Sequence, residues 1–595
     1  MATSARTVTP SFTRGVSLRT HRPVQSRRGR SVSATPKRLE VRACGILALV
    51  DRNGAVPMEN REPLVRELAA RMVTRGPDGA GFVGGETWAL GHQRLSIMDP
   101  AHGQQPLVYE DKENAVVANG EIYNFRELRE KHNLPEGRTG SDSEILLQLF
   151  ETLGKEEMCN ELNGIFGFVI AGKDGKQMMA ARDHCGIKPL YIGYGENGSV
   201  WFASELKCLV DQCERIDEFP AGHYWTPEEG FVRYYKPEWD SDDYVPSGTL
   251  EGVREELERA IRRQCMSDVP FGLLLSGGLD SAVVAVILKK VLEERGEEFL
   301  TFSVGQEGSP DITAARMMSE FLGSKHHEYL FKPREAFGII EKVIYHLETY
   351  EPELIRSSIP NFFLARLTGS HVKMVLTGEG SDELFGGYLY FRDAPDKAAF
   401  FKELRRIFHH LHNVNCQRAD RMTMAHALEA RVPFLDPEVI AKVMSVDAGL
   451  KEIKGEDRPE KWALRSLFDG EIPDAVLWRT KAMQCEGVGM TWVQQLQDMC
   501  DEAVSDEAFA GAAEEFPINT PQSKEEYYYR SIFEKYYSGL DKFIHVWEGG
   551  CRAGGAAWDN AAYSRAGLKN VAQLGRGLGK DGADLEMAEL TGSGV

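Results

Sequence analysis

The stretch that decides the fold is "VPFGLLLSGGLDSAVVAVILKKVLEE", residues 269–294. It reads as a buried strand, a glycine turn and then a helix. Gly277 and Gly278 let the backbone come close to an anion. The helix start offers free N–H groups and the positive end of a dipole. Ser276 and Ser281 add hydroxyl donors, and Asp280 is placed to hold a Mg²⁺ ion on phosphate oxygens. The run does not fit GxxxxGK[ST] and has no lysine for a γ-phosphate, which disfavours a Walker-type nucleotidase.

Outward from this stretch the strand-then-loop theme repeats, in "FLTFSVG" (299–305) and "HVKMVLTGEGSDELFGG" (371–387). Strands alternating with helices argue for a parallel α/β sheet. In the second repeat Glu379, Asp382 and Glu383 directly follow a buried run, so they would stand at the mouth of that sheet, where ligands bind. "GTLEGVREELERAIRRQC" (248–265) is an amphipathic helix, and about 400–545 is mostly helical. Residues 549–595, rich in Gly and Ala, read as a loose tail. Toward the N-terminus, "SDDYVPSGT" near 240–250 is a linker. Before it, "GILALV", "TWALGH", "ENAVVANG", "GFVIAG", "MMAARD" and "VWFASE" are β-like runs, with helices expected near Pro63–Val73 and Ser141–Leu153. This half reads as a sheet sandwich with helices.

The 595 residues are too many for one core. No run of about 18 apolar residues marks a membrane span. The net charge of −20 argues against nucleic-acid and anionic-membrane partners. Ten scattered cysteines without a CxxC pair suit free thiols in a reducing compartment. Residues 1–43 stand apart, with nine Arg, one Lys, twelve Ser or Thr and the single acid Glu40. That is the composition of an organelle transit peptide, the alternative being a disordered basic tail.

The phosphate loop resembles that of the ATP pyrophosphatase superfamily, which cleaves ATP between the α and β phosphates and adenylates a substrate. The front half resembles a class II, Ntn-type glutamine amidotransferase domain. The matching pieces are "CGI" (44–46), "RGPDGAG" (75–81), "GHQRLSIMD" (91–99), "GQQPL" (103–107), "NGEIYN" (119–124) and "GSDSE" (140–144). In that family the nucleophile is the first residue of the chain and its own α-amine is the base. The chemistry explains why: an α-amine titrates near pH 8, whereas an internal peptide nitrogen has no basic lone pair. "VRA" before Cys44 resembles a chloroplast cleavage site, so a cut after Ala43 would make Cys44 the N-terminus, and the resemblance implies a plastid stroma, with mitochondrion or cytoplasm as alternatives. It further implies that Arg94 grips the α-carboxylate of glutamine in a pocket with Leu95, Ser96, Ile97 and Met98. Glu121 and Asp142 hold the α-ammonium, and Asn119 with Gly120 forms the oxyanion hole.

Together the two halves resemble the glutamine-hydrolysing asparagine synthetase family over nearly all of 44–545, further matches being "ALEARVPFLD" and "NTPQSKEEYYYRSIFEKYY". The implied fold is an Ntn-type αββα sandwich at 44–240. A parallel α/β, adenine-nucleotide α-hydrolase-like domain follows at 250–545, with a helical C-terminal part. The implied substrates are glutamine, aspartate and ATP, with Mg²⁺ held by Asp280 and Asp382, and a homodimer is common in the family. Leu274, Val304, Thr377 and Gly378 match nucleotide-contacting positions. Glu379 matches the carboxylate that supports formation and attack of the acyl-adenylate, and Lys481 and Arg356 match phosphate-binding positions. One departure stands out: the family reads something like "KEQFSDGVG", and this chain reads "KAMQCEGVG" at 481–489. An ammonia-dependent synthetase, or another adenylating amide ligase with a silent front domain, is the alternative if Cys44 is not exposed.

Overall fold

The computed structural model describes residues 44–109, 114–172, 177–455, 457–479, 487–489 and 491–541. The basic leader, the tail after 549, Lys481 and the divergent 482–486 segment lie outside the described residues.

The first half is built from twelve described strands. They are β1 (Gly45–Val50), β2 (Gly79–Gly84), β3 (Trp88–Arg94), β4 (Leu107–Tyr109), β5 (Asn114–Ile122), β6 (Gly164–Ala171), β7 (Met178–Arg182), β8 (Tyr191–Tyr194), β9 (Val200–Ala203), β10 (Arg215–Glu218), β11 (His223–Thr226) and β12 (Gly230–Arg233). They form two antiparallel sheets, ordered β10-β8-β9-β1-β3-β2 and β12-β11-β7-β6-β5-β4. Alternation along β1 shows why the sheets stack. Ile46, Ala48 and Val50 pack with Val117, Val169 and Ala180 of the second sheet. Leu47 and Leu49 pack on the opposite side with Val65, Leu68 and Met72. A strand buried on both faces needs apolar residues at every position, which is what "GILALV" supplies. The outer face of the second sheet is covered by the helix Ile145–Thr152 and its neighbours. The result is an αββα sandwich.

Two local readings shift. The helix expected to start at Pro63 runs Met58–Ala70 with Pro63 inside it. The proline forfeits one backbone bond, while Glu59 in the first turn and the buried face of Val65, Leu68 and Ala69 favour the longer helix. The helix expected from Ser141 begins as a 3₁₀ turn, Asp142–Glu144, before Ile145–Thr152. This tight turn is what aims Asp142 inward.

The second half holds a parallel sheet of β13 (Phe271–Leu274), β14 (Leu300–Gly305), β15 (Lys325–Leu330), β16 (Met374–Leu376) and β17 (Glu429–Arg431). Its order is β15-β14-β13-β16-β17. The chain winds outward from β13 to β15, then returns to β13's other side with β16. The crevice beyond the carboxyl ends of β13 and β16 is therefore the topological switch point, and the two glycine-rich loops leave those two strands. The helix Leu279–Arg295 follows the first loop directly, and no side chain caps its start. One apolar cluster spans both halves. It contains Leu95, Met98 and Ile165 from the sandwich and Leu273, Leu376 and Met424 from the parallel domain, and Cys44 packs against it. No helix among the described residues is long and apolar enough to cross a membrane.

Candidate active sites

Cys44 stands at the head of β1, half-buried. Its sulfur accepts the Leu95 N–H at 3.1 Å and donates to the Leu95 carbonyl at 3.4 Å. Its own carbonyl takes the Arg75 Nε–H at 2.9 Å. Burial pushes the thiol up to about 12, with the Leu95 N–H opposing and the charges of Glu429 and Glu121 adding to the rise. Within an uncut chain this thiol is held in place and protonated at neutral pH.

The other expected glutamine-pocket residues lie nearby in the sandwich. Asn119 and Gly120 sit on β5, and Asn119 Nδ2 makes only a long 3.5 Å contact with Ser204 Oγ. Gly120 has φ +128°, and a Cβ there would lie 1.8 Å from the Ile165 carbonyl oxygen, so only glycine fits. Glu121 is paired by Arg431 at 3.1 Å through one oxygen, while its Oε2 is buried without a partner. Asp142 accepts the Ile122 N–H at 2.7 Å. Burial, then the Asp142 charge, raises Glu121 well above the usual carboxylate range. Burial raises Asp142 to about 6 against its backbone hydrogen bond and Arg431. Two buried carboxylates short of positive charge are suited to receive an ammonium group. Arg94 ends β3 with its fork on the loop that follows, Nη2 on the carbonyls of Asp99 (2.6 Å) and Met98 (3.3 Å) and Nη1 on that of Pro100 (3.2 Å). It fastens residues 95–98 beside the thiol; a substrate carboxylate would compete for the same donors.

At the switch point, Gly277 has φ +73°. Ser276 Oγ and Ser281 Oγ lie 3.2 Å apart, and the Gly278 N–H donates to Ser276 Oγ at 3.2 Å. Leu274 ends β13, and Val304 is the last residue but one of the neighbouring β14. Asp280 and Asp382, from the two loops, meet on a residue that the sequence reading did not single out: Lys461 Nζ lies 2.6 Å from Asp280 Oδ1 and 2.6 Å from Asp382 Oδ1. Ser381 Oγ donates to the same Asp280 oxygen at 2.8 Å. Two carboxylate oxygens converging on one cation form a donor set of the kind that Mg²⁺ takes. Thr377 Oγ1 accepts the Glu379 N–H at 3.1 Å. The Glu379 carboxylate faces Arg418, whose Nη2 lies 2.9 and 3.1 Å from its two oxygens. Burial, then the Asp382 charge, pushes Glu383 up to about 7.

Arg356 is not joined to this group by any described contact. It pairs with Glu525 on the helix Lys524–Tyr537, Nε on Oε1 at 2.7 Å. Only its neighbour Ser357 reaches toward the site, 3.5 Å from Arg418 Nη1. Besides Lys461 and Arg418, sequence reasoning passed over Arg75, Ser204, Lys188 and Arg431. The available signal was charge inside otherwise apolar surroundings, as in "RADRMTMAHALEARVPF".

Comparison with known proteins agrees with the two halves. A glutamine amidotransferase domain model matches residues 43–231, and an asparagine synthase model matches 252–406 and 392–561. Asparagine synthetase [glutamine-hydrolyzing] 2 of Arabidopsis thaliana is 45% identical over 512 residues, covering 83% of this chain and 87% of the relative. Asparagine synthetase [glutamine-hydrolyzing] 3 of the same plant is 46% identical over 512 residues, with 83% and 87% covered. The Zea mays enzyme of that name is 44% identical over 510 residues, with 83% and 86% covered.

Proposed function

We propose that the two sites work in relay, since the chain belongs to the glutamine-hydrolysing asparagine synthetases and makes asparagine from aspartate with ATP and the amide nitrogen of glutamine. The basic leader is a transit peptide removed after Ala43, and the mature enzyme works in the plastid stroma. Cleavage frees the α-amine of Cys44, which takes the proton from a thiol that burial otherwise holds near 12. The thiolate attacks the side-chain amide of glutamine. The Asn119 amide and the Gly120 N–H carry the oxyanion, the α-ammonium rests on Glu121 and Asp142, and the α-carboxylate takes Arg94. Ammonia leaves, and water releases glutamate from the thioester.

At the switch point the β-carboxylate of aspartate attacks the α-phosphate of ATP, giving β-aspartyl-AMP and pyrophosphate. The uncapped helix start at Leu279, with the Ser276 and Ser281 hydroxyls, receives phosphate oxygens. Asp280 and Asp382 would hold Mg²⁺, which would supply charge neutralisation on those oxygens. Lys481 serves the departing phosphates, whereas Arg356 is engaged by Glu525 and would have to leave that partner to join it. Ammonia crosses inside the protein along the apolar cluster that touches Cys44 and continues to Leu376, and Glu379 takes its proton as it attacks the acyl-adenylate.

The observation that carries this reading is the state of Cys44: fixed by Leu95 and Arg75 and lacking only a base. Intact mass and terminal sequencing of the protein from its native cells test it. The expected chain begins at Cys44 with a free amine. A chain beginning upstream would leave the glutaminase disarmed and the ammonia-dependent ligase as the working activity.

A further inference from the structure

The Cys44 centre does not finish within its own domain. Arg75 is fully buried, and its four described hydrogen bonds go in three directions. Nε donates to the Cys44 carbonyl at 2.9 Å and Nη1 to Glu205 at 3.1 Å. The remaining two go to Asp420, Nη1 to Oδ2 at 2.8 Å and Nη2 to Oδ1 at 3.2 Å. A guanidinium is planar, so a carboxylate taking both terminal nitrogens fixes where Nε points. Asp420 belongs to the synthetase half, on the helix Asn415–Met424. Burial alone would raise its carboxyl, but Arg75 and then Lys188 overcome this and hold it below the usual range.

The next residue supports the other part of the same centre. Arg421 Nη1 donates to the Ser204 carbonyl at 2.8 Å and lies 3.2 Å from Glu205. Ser204 Oγ accepts the Ile46 N–H at 3.1 Å and faces Asn119 Nδ2. One turn earlier on that helix, Arg418 touches Glu379 of the adenylating site. Three charged residues of a single helix thus hold the nucleophile's backbone, the support of the oxyanion donor, and the carboxylate proposed as the base of the second reaction.

We infer that Asp420 is a positioning residue for glutamine hydrolysis supplied by the synthetase domain: through Arg75 it sets the orientation of Cys44, and the glutaminase centre is incomplete without it. This rests on the reading of Cys44 as the mature N-terminus. Without Asp420, Arg75 keeps only Glu205 as a carboxylate partner, on one terminal nitrogen, and its Nε is free to swing off the Cys44 carbonyl. Arg94, Glu121 and Asp142 are held by other contacts, so glutamine would still bind. A displacement of about 1 Å at a reacting group can cost on the order of 10²-fold in rate.

The test is Asp420→Asn in a full chain beginning at Cys44, beside the wild type. Glutaminase kcat should fall on the order of 10²-fold, with KM for glutamine within about threefold. Asparagine synthesis from free ammonia should stay within about twofold, and labelling of Cys44 by an electrophilic glutamine analogue should slow with kcat. Unchanged glutaminase overturns the inference. Equal loss of both activities also overturns it, because that is a structural role. If Asp420→Asn does not fold, Asp420→Glu must show the same split between the two activities, and failure of both variants to show it sinks the proposal. A wild-type chain beginning at Cys44 that lacks glutaminase would count against the N-terminal nucleophile, a result distinct from any effect of Asp420.

Discussion

The two centres are charged in opposite ways before substrate arrives. Around Cys44 the carboxylates Glu121 and Asp142 are buried, raised, and answered among the described residues by one short ion pair, from Arg431. At the switch point three carboxylates are already matched, Asp280 and Asp382 by Lys461, and Glu379 by Arg418, and Glu383 is the exception, pushed up to about 7. In the proposed function the first site is a socket with a deficit of positive charge that the ammonium group of the substrate fills. On the same proposal the second faces a polyanionic nucleotide, and Lys461 and Arg418 would exchange carboxylate for phosphate as it arrives. A preformed socket suits a small zwitterion, whereas charge exchange suits a site that must accept and release pyrophosphate.

The largest expected effect would break the comparison at its first half. A chain beginning at Ala43, one residue longer than one beginning at Cys44, keeps every contact of Cys44 but has no α-amine on it. Glutamine-dependent synthesis should fall by on the order of 10²–10⁴-fold, the usual worth of a positioned base. Ammonia-dependent synthesis in the same preparation should be unchanged. Equal activity of the two chains in a glutaminase assay would show that another group serves as the base.

The second prediction concerns the counter-ion at the other site. Lys461→Ala leaves Asp280 and Asp382, both mostly buried, facing each other without a cation. Removing one partner of such a group costs about 3–5 kcal/mol. Thermal unfolding should show that loss in the absence of divalent cations. Added Mg²⁺, by taking the place of the ammonium, should raise the melting temperature of Lys461→Ala far more than that of the wild type. An equal Mg²⁺ response in both proteins would mean that the two carboxylates are not the metal site.

The sequence carried much of this because its strongest signals are local. The switch-point loop announces itself within a dozen residues: the strand, the glycines, the serines and Asp280 are contiguous, and the helix begins where the glycines end. Cys44 could be read for the same reason, since the run after it is apolar at every position. What escaped was set by distant pairing. β2 reads as "GAGFVG", which no propensity marks as a strand, yet it pairs with β3 along its whole length. Lys461 meets Asp280 across 181 positions, and Arg75 meets Asp420 across 345. A lysine or arginine destined for a buried carboxylate looks, in one dimension, like any surface cation. Asp142 and Arg94 were legible as polar residues in distinctive motifs. That Arg94 spends its fork on the 98–100 carbonyls was not, because those acceptors are backbone atoms of a loop whose path no side chain reveals.

The smallest expected effect sharpens the contrast in charge. Asp142 titrates near 6 in the folded chain, above the ordinary carboxylate. A raised folded value means that the proton favours folding, so this group's contribution to stability is complete below the unfolded pKa of about 4 and is lost as the pH rises through about 6. Glutamine pulls the other way, because its ammonium needs the carboxylate ionised. The Asp142 contribution to KM for glutamine should therefore climb by up to about tenfold per unit as the pH falls below 6. Because protonation of the Cys44 α-amine acts on kcat, the two limbs separate when KM and kcat are followed individually. Asp142→Asn should raise KM and leave only the acid limb that Glu121 contributes, while ammonia-dependent synthesis, which never uses the socket, should show no such limb in either protein. A KM that stays level to pH 5 in the wild type would mean that the α-ammonium does not need an ionised Asp142, and would leave Asp142 as a support for the Ile122 N–H.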